Sequence, residues 1–158
     1  MNKPSIIFVS STGGHLSEML ELKDMFNKYD YHIITEKTKS NTPLIDKYPD
    51  RVDFLLYGTK HNLLSYPFIA LFNCFKSLKY YLQYKPKYII TTGAHTAAPL
   101  CIIGHFFGSK IIYIETFANM ETKTMTGKYT YRFADKFIVQ WENMKELYPE
   151  AEYNGWIY

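Results

Sequence analysis

The stretch SSTGGHLSEML, residues 10–20, decides how this chain is read. It follows the apolar, β-branched run SIIFVS (residues 5–10) and leads into a helix-like segment, Leu16–Lys28. Two adjacent glycines and a histidine thus sit where a strand passes into a helix. Glycines at such a turn either only bend the chain or clear side chains from a spot where a ligand meets the backbone. A helix N-terminus offers unpaired N–H groups and a partial positive charge, so the turn is a candidate anion cradle.

Outward from this turn the same unit recurs. Strand-like runs appear at Ser5–Ser10, His32–Thr35, Val52–Tyr57, Tyr88–Thr92, Lys110–Glu115 and Phe137–Gln140. Helix-like segments at Leu16–Lys28, Ser65–Tyr84, Thr96–Phe107, Lys128–Ala134 and Glu142–Leu147 lie between or after them. Strands apolar throughout are buried on both faces, which favours a parallel sheet covered by helices. The alternation predicts a doubly wound, mainly parallel α/β fold, one Rossmann-like domain over residues 1–158. Glu36–Asp50 is the one long loop. A chain of 158 residues is large enough to bury a core of this kind.

In open parallel sheets ligands bind at the carboxyl ends of the strands. Three clusters fall there. Ser11, Thr12, Gly13, Gly14 and His15 follow the first strand. Thr92, Gly93, His95 and Thr96, in TTGAHTAAP, follow the Tyr88–Thr92 strand. Glu115, in IYIET, ends the next one. The glycine spacing is neither the dinucleotide fingerprint nor a phosphate-binding P-loop. His15 is a candidate general base near neutral pH, with Glu115 as the acid that orients its ring. The alternative for His15 is helix capping or ligand positioning without proton transfer. His95 reads as a binding residue. His32, His61 and His105 lie outside these turns. No group of residues has metal-ligand spacing, so neither metal nor cofactor is expected.

The net charge of +3 suits a phosphate-bearing ligand or an anionic membrane surface and is too small to argue for nucleic acid. Cys74 and Cys101 sit in apolar helix-like stretches and are expected to be reduced core residues of a cytosolic protein. No signal peptide and no span of about 18 apolar residues is evident. In NLLSYPFIALFNCFKSLKYYLQYKPK, residues 62–87, Phe68, Leu71, Phe75, Leu78 and Leu82 share one helical stripe, expected to face the core. A second flank, Ile69, Phe72, Lys76, Lys79 and Tyr80, interleaves aromatics with lysines as a bilayer interface does. Packing against a neighbouring helix is its alternative.

The motifs SSTGGHLSEML, IITTGAHTAAP (residues 89–99), KIIYIETFANMETKTMTGKYTYRFADKFIVQWENMKELYP (residues 110–149) and YNGWIY (residues 153–158) together resemble the Alg14-like family of oligosaccharide biosynthesis proteins. Its bacterial members include the PssD and CpsF proteins of capsule and exopolysaccharide synthesis. More distantly, the chain is similar to the N-terminal, acceptor-binding half of MurG-type GT-B glycosyltransferases. The resemblance implies a donor-binding half on a separate chain, the pair forming an inverting, metal-independent transferase. The acceptor it implies is a polyprenyl-diphosphate-linked sugar at the cytoplasmic face of the membrane. No N-terminal membrane helix is seen, so attachment is expected to be peripheral, through the basic aromatic flank. The apolar end Trp156, Ile157 and Tyr158 is the expected partner contact. Two other classes stay open at this point: a non-catalytic anchor that recruits a catalytic subunit, and a self-sufficient binder of a phosphorylated ligand.

Overall fold

A computed structural model describes residues 3–58 and 66–157. Six strands, β1 (Ser5–Ser10), β2 (Asp30–Glu36), β3 (Val52–Leu55), β4 (Tyr88–Gly93), β5 (Lys110–Ile114) and β6 (Lys136–Ile138), form one sheet. Its order is β3-β2-β1-β4-β5-β6 and every pairing is parallel. This is the doubly wound order whose direction reverses between β1 and β4, the two strands followed by glycine turns. Of the residues singled out in the sequence, His61, Ser65 and Tyr158 fall outside the described residues.

Alternate side chains of each strand enter opposite layers. Ile7, Val9, Ile34, Leu55, Ile89 and Ile111 pack beneath α3 (Tyr66–Tyr84) and α4 (Ala98–Phe106). Ile6, Phe8, Ile33, Ile90 and Ile114 pack with Leu16, Met19 and Phe26 on the other face. There α1 (Gly14–Leu20) tightens into a 3₁₀ turn at Glu21–Met25, short of the expected end at Lys28. The long loop carries one turn of helix, α2 (Leu44–Lys47). A final short helix, α5 (Met125–Thr130), starts three residues earlier than expected because Thr124 caps it, its hydroxyl accepting from Gly127 N–H.

The helix α3 is turned about its axis relative to the expected orientation. Asn73, Ser77, Tyr80 and Tyr81 are buried, whereas Phe68 is 75 % and Phe75 65 % exposed, and Leu71, Phe72 and Leu82 are exposed too. Of the stripe expected in the core, Phe68, Leu71, Phe75 and Leu82 therefore face out and Leu78 is half-buried. Hydrogen bonding decides it. The Asn73 amide pairs with both backbone groups of Leu56 (2.8 and 2.9 Å), which ends β3 before Tyr57. The Tyr80 hydroxyl donates to Phe54 O at 3.0 Å.

The expected membrane flank is split by the same rotation. Tyr80 is buried, the Lys76 ammonium donates to Phe54 O, and Ile69 is half-buried against Gly58. Only Phe72 and Lys79 of that set are exposed. Cys74 is exposed rather than in the core, while Cys101 is buried and its thiol pKa is pushed up to about 12 by desolvation. Among the described residues no helix is long and apolar enough to cross a membrane.

Candidate functional site

Polar residues gather, buried, at the carboxyl ends of the strands: Ser10 at the end of β1 and Ser11 after it, Thr35 and Glu36 at β2, Thr91 and Thr92 at β4, Glu115 and Thr116 after β5. Apolar burial would be cheaper at every one of these positions, so their concentration on one rim marks it as the chemically specialised end of the sheet.

The turns after β1 and β4 are bonded to each other. Ser11 N–H donates to Gly93 O (3.2 Å), and the Thr92 hydroxyl donates to His15 O (2.7 Å). His15 Nδ1 lies 2.7 Å from Thr92 O. A carbonyl only accepts, so Nδ1 holds the proton and the neutral ring keeps Nε2 as its free acceptor. Gly93 makes room for this. It adopts φ +100°, and a β-carbon there would stand 3.2 Å from the Tyr113 hydroxyl and 3.3 Å from His15 Cε1. Above it opens a cavity of about 280 Å³, lined by His15, His95, Tyr113, Thr124, Met125 and Tyr129 among others.

The expected orienting pair is not formed as drawn from the sequence. Thr92 O, not Glu115, holds the imidazole. Glu115 is buried behind the cavity wall and accepts from Thr116 N–H (3.1 Å), the Thr124 hydroxyl (3.0 Å) and the Tyr148 hydroxyl (3.2 Å). Desolvation outweighs these three donors and holds its pKa above the ordinary carboxylate value.

Nor are all the expected phosphate ligands available. Thr12 N–H donates to Glu36 Oε2 (3.1 Å) and the Thr96 hydroxyl to Glu36 Oε1 (2.6 Å), with Thr96 buried. Glu36 thereby ties three strand ends together from below and engages two groups expected to meet the ligand. Gly13 and Gly14 stay open, with no atom within 4 Å of a β-carbon built on either. Gly13, at φ +80°, is the glycine the turn requires; Gly14 has an ordinary φ. His95 faces the cavity with Tyr66 beside it, ring centroids 5.7 Å apart. Among the described residues no group of three or more His, Cys, Asp or Glu is arranged to hold a metal ion.

At the chain's end, Trp156 is 62 % exposed, yet its ring touches Phe117 and Trp141 with centroids 5.3 and 5.4 Å apart. Ile157 N–H donates to Gln140 Oε1 at 3.0 Å. The tail thus rests on its own domain and shows one aromatic face outward.

Sequence reasoning missed Glu36, Tyr113, Thr124 and Tyr148. A signal existed for the first: HIITE, like IIYIE, carries a glutamate at the end of a strand-like run. For Thr124 the cue was a threonine three residues before Gly127, a capping spacing.

A family model described as "Oligosaccharide biosynthesis protein Alg14 like" matches residues 59–157. The chain belongs to the Alg14-like family. Among curated relatives of this Alg14-like chain, the human UDP-N-acetylglucosamine transferase subunit ALG14 is 28 % identical over 177 residues, covering 96 % of the chain and 82 % of the human protein. The Schizosaccharomyces pombe protein of the same name is 28 % identical over 175 residues, covering 97 % and 82 %. Acinetobacter baumannii MurG superposes with a TM-score of 0.74 at 18 % identity, over 97 % of the Alg14-like chain and 46 % of MurG. Methanocaldococcus jannaschii UDP-GlcNAc 2-epimerase, solved with UDP-GlcNAc and UDP, gives 0.69 at 13 % identity, over 96 % and 46 %. The chain spans less than half of these solved proteins, and the likeness establishes a shared Rossmann-like fold of the GT-B type.

Proposed function

We propose that this Alg14-like chain is the acceptor-binding subunit of a two-component glycosyltransferase of oligosaccharide or polysaccharide biosynthesis, with His15 as its general base. The observation that carries the reading is the tautomer of His15. With Nδ1 committed to Thr92 O, Nε2 is the free basic nitrogen at a cavity sited where the sheet order reverses. A sugar hydroxyl within hydrogen-bond reach of Nε2 would lose its proton as it attacks the donor's anomeric carbon, the nucleoside diphosphate leaving. The acceptor we assign is a polyprenyl-diphosphate-linked sugar, its diphosphate over the open Gly13–Gly14 turn. The donor is a nucleotide sugar held by a separate subunit; the relatives' name, UDP-N-acetylglucosamine transferase subunit, supports that division.

On this reading the chain works as a peripheral protein at the cytoplasmic face of the membrane. The exposed Phe68, Leu71, Phe72 and Phe75 of α3 supply the apolar contact, and Lys79 a cation for headgroups. Trp156 and Ile157 are assigned to the partner contact.

The test is transfer by the reconstituted pair at saturating donor and acceptor. Replacing His15 with Gln or Ala should leave the complex intact on gel filtration and lower the rate by about 10² to 10⁴-fold, the usual contribution of a general base. Near-wild-type turnover by either variant would remove the base assignment and leave the chain as a non-catalytic anchor for its partner.

A further inference from the structure

Glu115 is the most deeply buried acid behind the cavity, yet the fold keeps it from His15. Two hydroxyls stand between them, and the single proton each one holds constrains the direction of the hydrogen bonds in the chain. The carboxylate takes three donors: Thr116 N–H at 3.1 Å, the Tyr148 hydroxyl at 3.2 Å and the Thr124 hydroxyl at 3.0 Å. Thr124 has a single proton. Its oxygen also receives Gly127 N–H at 3.0 Å, a bond in which it can only accept. With its proton directed at the carboxylate, Thr124 accepts from the Tyr113 hydroxyl at 3.3 Å, while the Tyr148 hydroxyl, also bonded to Thr124, gives its own proton to the carboxylate. The proton of Tyr113 therefore points toward Thr124 and α5. Its oxygen is left with free lone pairs near Gly93, where the hydroxyl and the His15 ring edge lie 3.2 and 3.3 Å from a β-carbon built on that glycine, and both residues line the same cavity.

We propose that Glu115 is a positioning residue for His15, acting through the hydroxyls of Thr124 and Tyr113: it sets the direction of the Tyr113 O–H so that the oxygen, not the proton, faces the imidazole. This deepens the reading of His15 as a base and rests on it. The negative end of an O–H dipole beside the ring favours the positive charge that the imidazole gains when it takes the substrate's proton, and the surrounding low dielectric strengthens the effect. Tyr113 lines the cavity together with His15, its side chain otherwise buried in the wall. The arrangement gives the site the electrostatic benefit of an acid–histidine pair while no carboxylate enters the cavity, where it would repel a phosphorylated acceptor.

The construction makes Glu115→Gln informative. The glutamine amide can donate to Thr124, which frees the threonine proton for Tyr113 and turns the tyrosine proton toward His15, with almost no change of shape. Two readouts apply. On the chain alone, the NMR resonance of the His15 Cε1 proton should move in Glu115→Gln and in Thr124→Val, and stay in place in Thr124→Ser, which keeps the hydroxyl. In the reconstituted pair the first two variants should lower kcat on the order of tenfold, a fraction of the about 10² to 10⁴ that a general base contributes, with the acceptor KM unchanged. In a Tyr113→Phe background, Glu115→Gln should add no more than about a twofold loss, because the relay is already cut. An unmoved resonance in Glu115→Gln, or a full tenfold loss on top of Tyr113→Phe, would overturn the proposal. If Glu115→Gln does not fold, the comparison of Thr124→Val with Thr124→Ser decides it in the same way. A pair without transfer activity, but with the resonance moving as described, would refute the transferase reading and leave the relay standing.

Discussion

Replacing Gly93 with Ala tests whether the turn after β4 is shaped around the histidine. Two costs follow from the structure. At φ +100° a β-carbon is strained, about 1–2 kcal/mol for an L-residue in the left-handed region. The new methyl would also stand 3.2 Å from the Tyr113 hydroxyl, 3.3 Å from His15 Cε1 and 3.4 Å from His15 Nδ1. Tyr113 is packed and cannot yield, so the imidazole must shift, and losing its 2.7 Å bond to Thr92 O costs about 0.5–1.5 kcal/mol more. The sum, about 1.5–3.5 kcal/mol, corresponds to a fall in Tm of about 3–14 °C for a domain of this size. Two neighbours serve as controls. Gly13→Ala, at φ +80° with open space around it, should show only the backbone strain, about 1–2 kcal/mol. Gly14→Ala has neither handicap and should stay within about 0.5 kcal/mol of wild type. The assay is thermal unfolding of the three variants side by side, with turnover of the reconstituted pair as a second measure. Only Gly93→Ala should lose stability and turnover together through His15. A Gly93→Ala protein as stable as Gly14→Ala would refute the account of the turn.

Glu115 gives stability a pH dependence of defined sign. Its folded pKa lies above the unfolded carboxylate value, so between the two the folded state binds the extra proton, and stability must fall as pH rises through that window. Denaturant midpoints for wild type and Glu115→Gln, measured from pH 4 to 8, should show the wild type declining relative to the variant; a relative rise would contradict the burial argument. On α3, changing Phe68, Phe72 and Phe75 together to Ser should weaken sedimentation with anionic vesicles and leave Tm nearly unchanged, since all three are exposed. Tyr80→Ser should instead cost about 3–5 kcal/mol, as removal of a large buried aromatic does; a silent Tyr80→Ser would mean that α3 is oriented as its hydropathy alone suggests.

The sheet was legible because its strands carry their signal in every residue. Ile6, Ile7, Phe8 and Val9 are all buried, and so are Ile33, Ile34, Ile89 and Ile90, which only a strand covered on both faces demands. The glycine turns were legible for a related reason: a residue needing positive φ, such as Gly13 or Gly93, is conspicuous beside a strand. The orientation of α3 was not. Its composition offers two apolar stripes, and the choice is made by long-range hydrogen bonds of Asn73 and Tyr80 to a segment some 17 to 26 residues away. Hydropathy has no access to those. The role of Glu115 was half legible. Its place at a strand end announced a site, but whether a carboxylate touches His15 depends on where Thr124 and Tyr148, from distant elements, come to rest. Glu36 was hidden for the same reason, since both of its partners, Thr12 and Thr96, lie in other turns.

The far border of the sheet has its own consequence. Beyond β6 the returning chain lays down a single rung: Glu152 N–H donates to Phe137 O (2.8 Å), Val139 N–H donates to Glu152 O (2.9 Å), and the Lys136 ammonium meets the Glu152 carboxylate at 2.9 Å. That border would otherwise be a template on which another extended segment could polymerise. With the rung in place and a charged pair over it, copies of the chain cannot zip edge to edge along β6. Any protein that docks at this end has to be recognised by surface shape and side-chain chemistry instead of by strand addition.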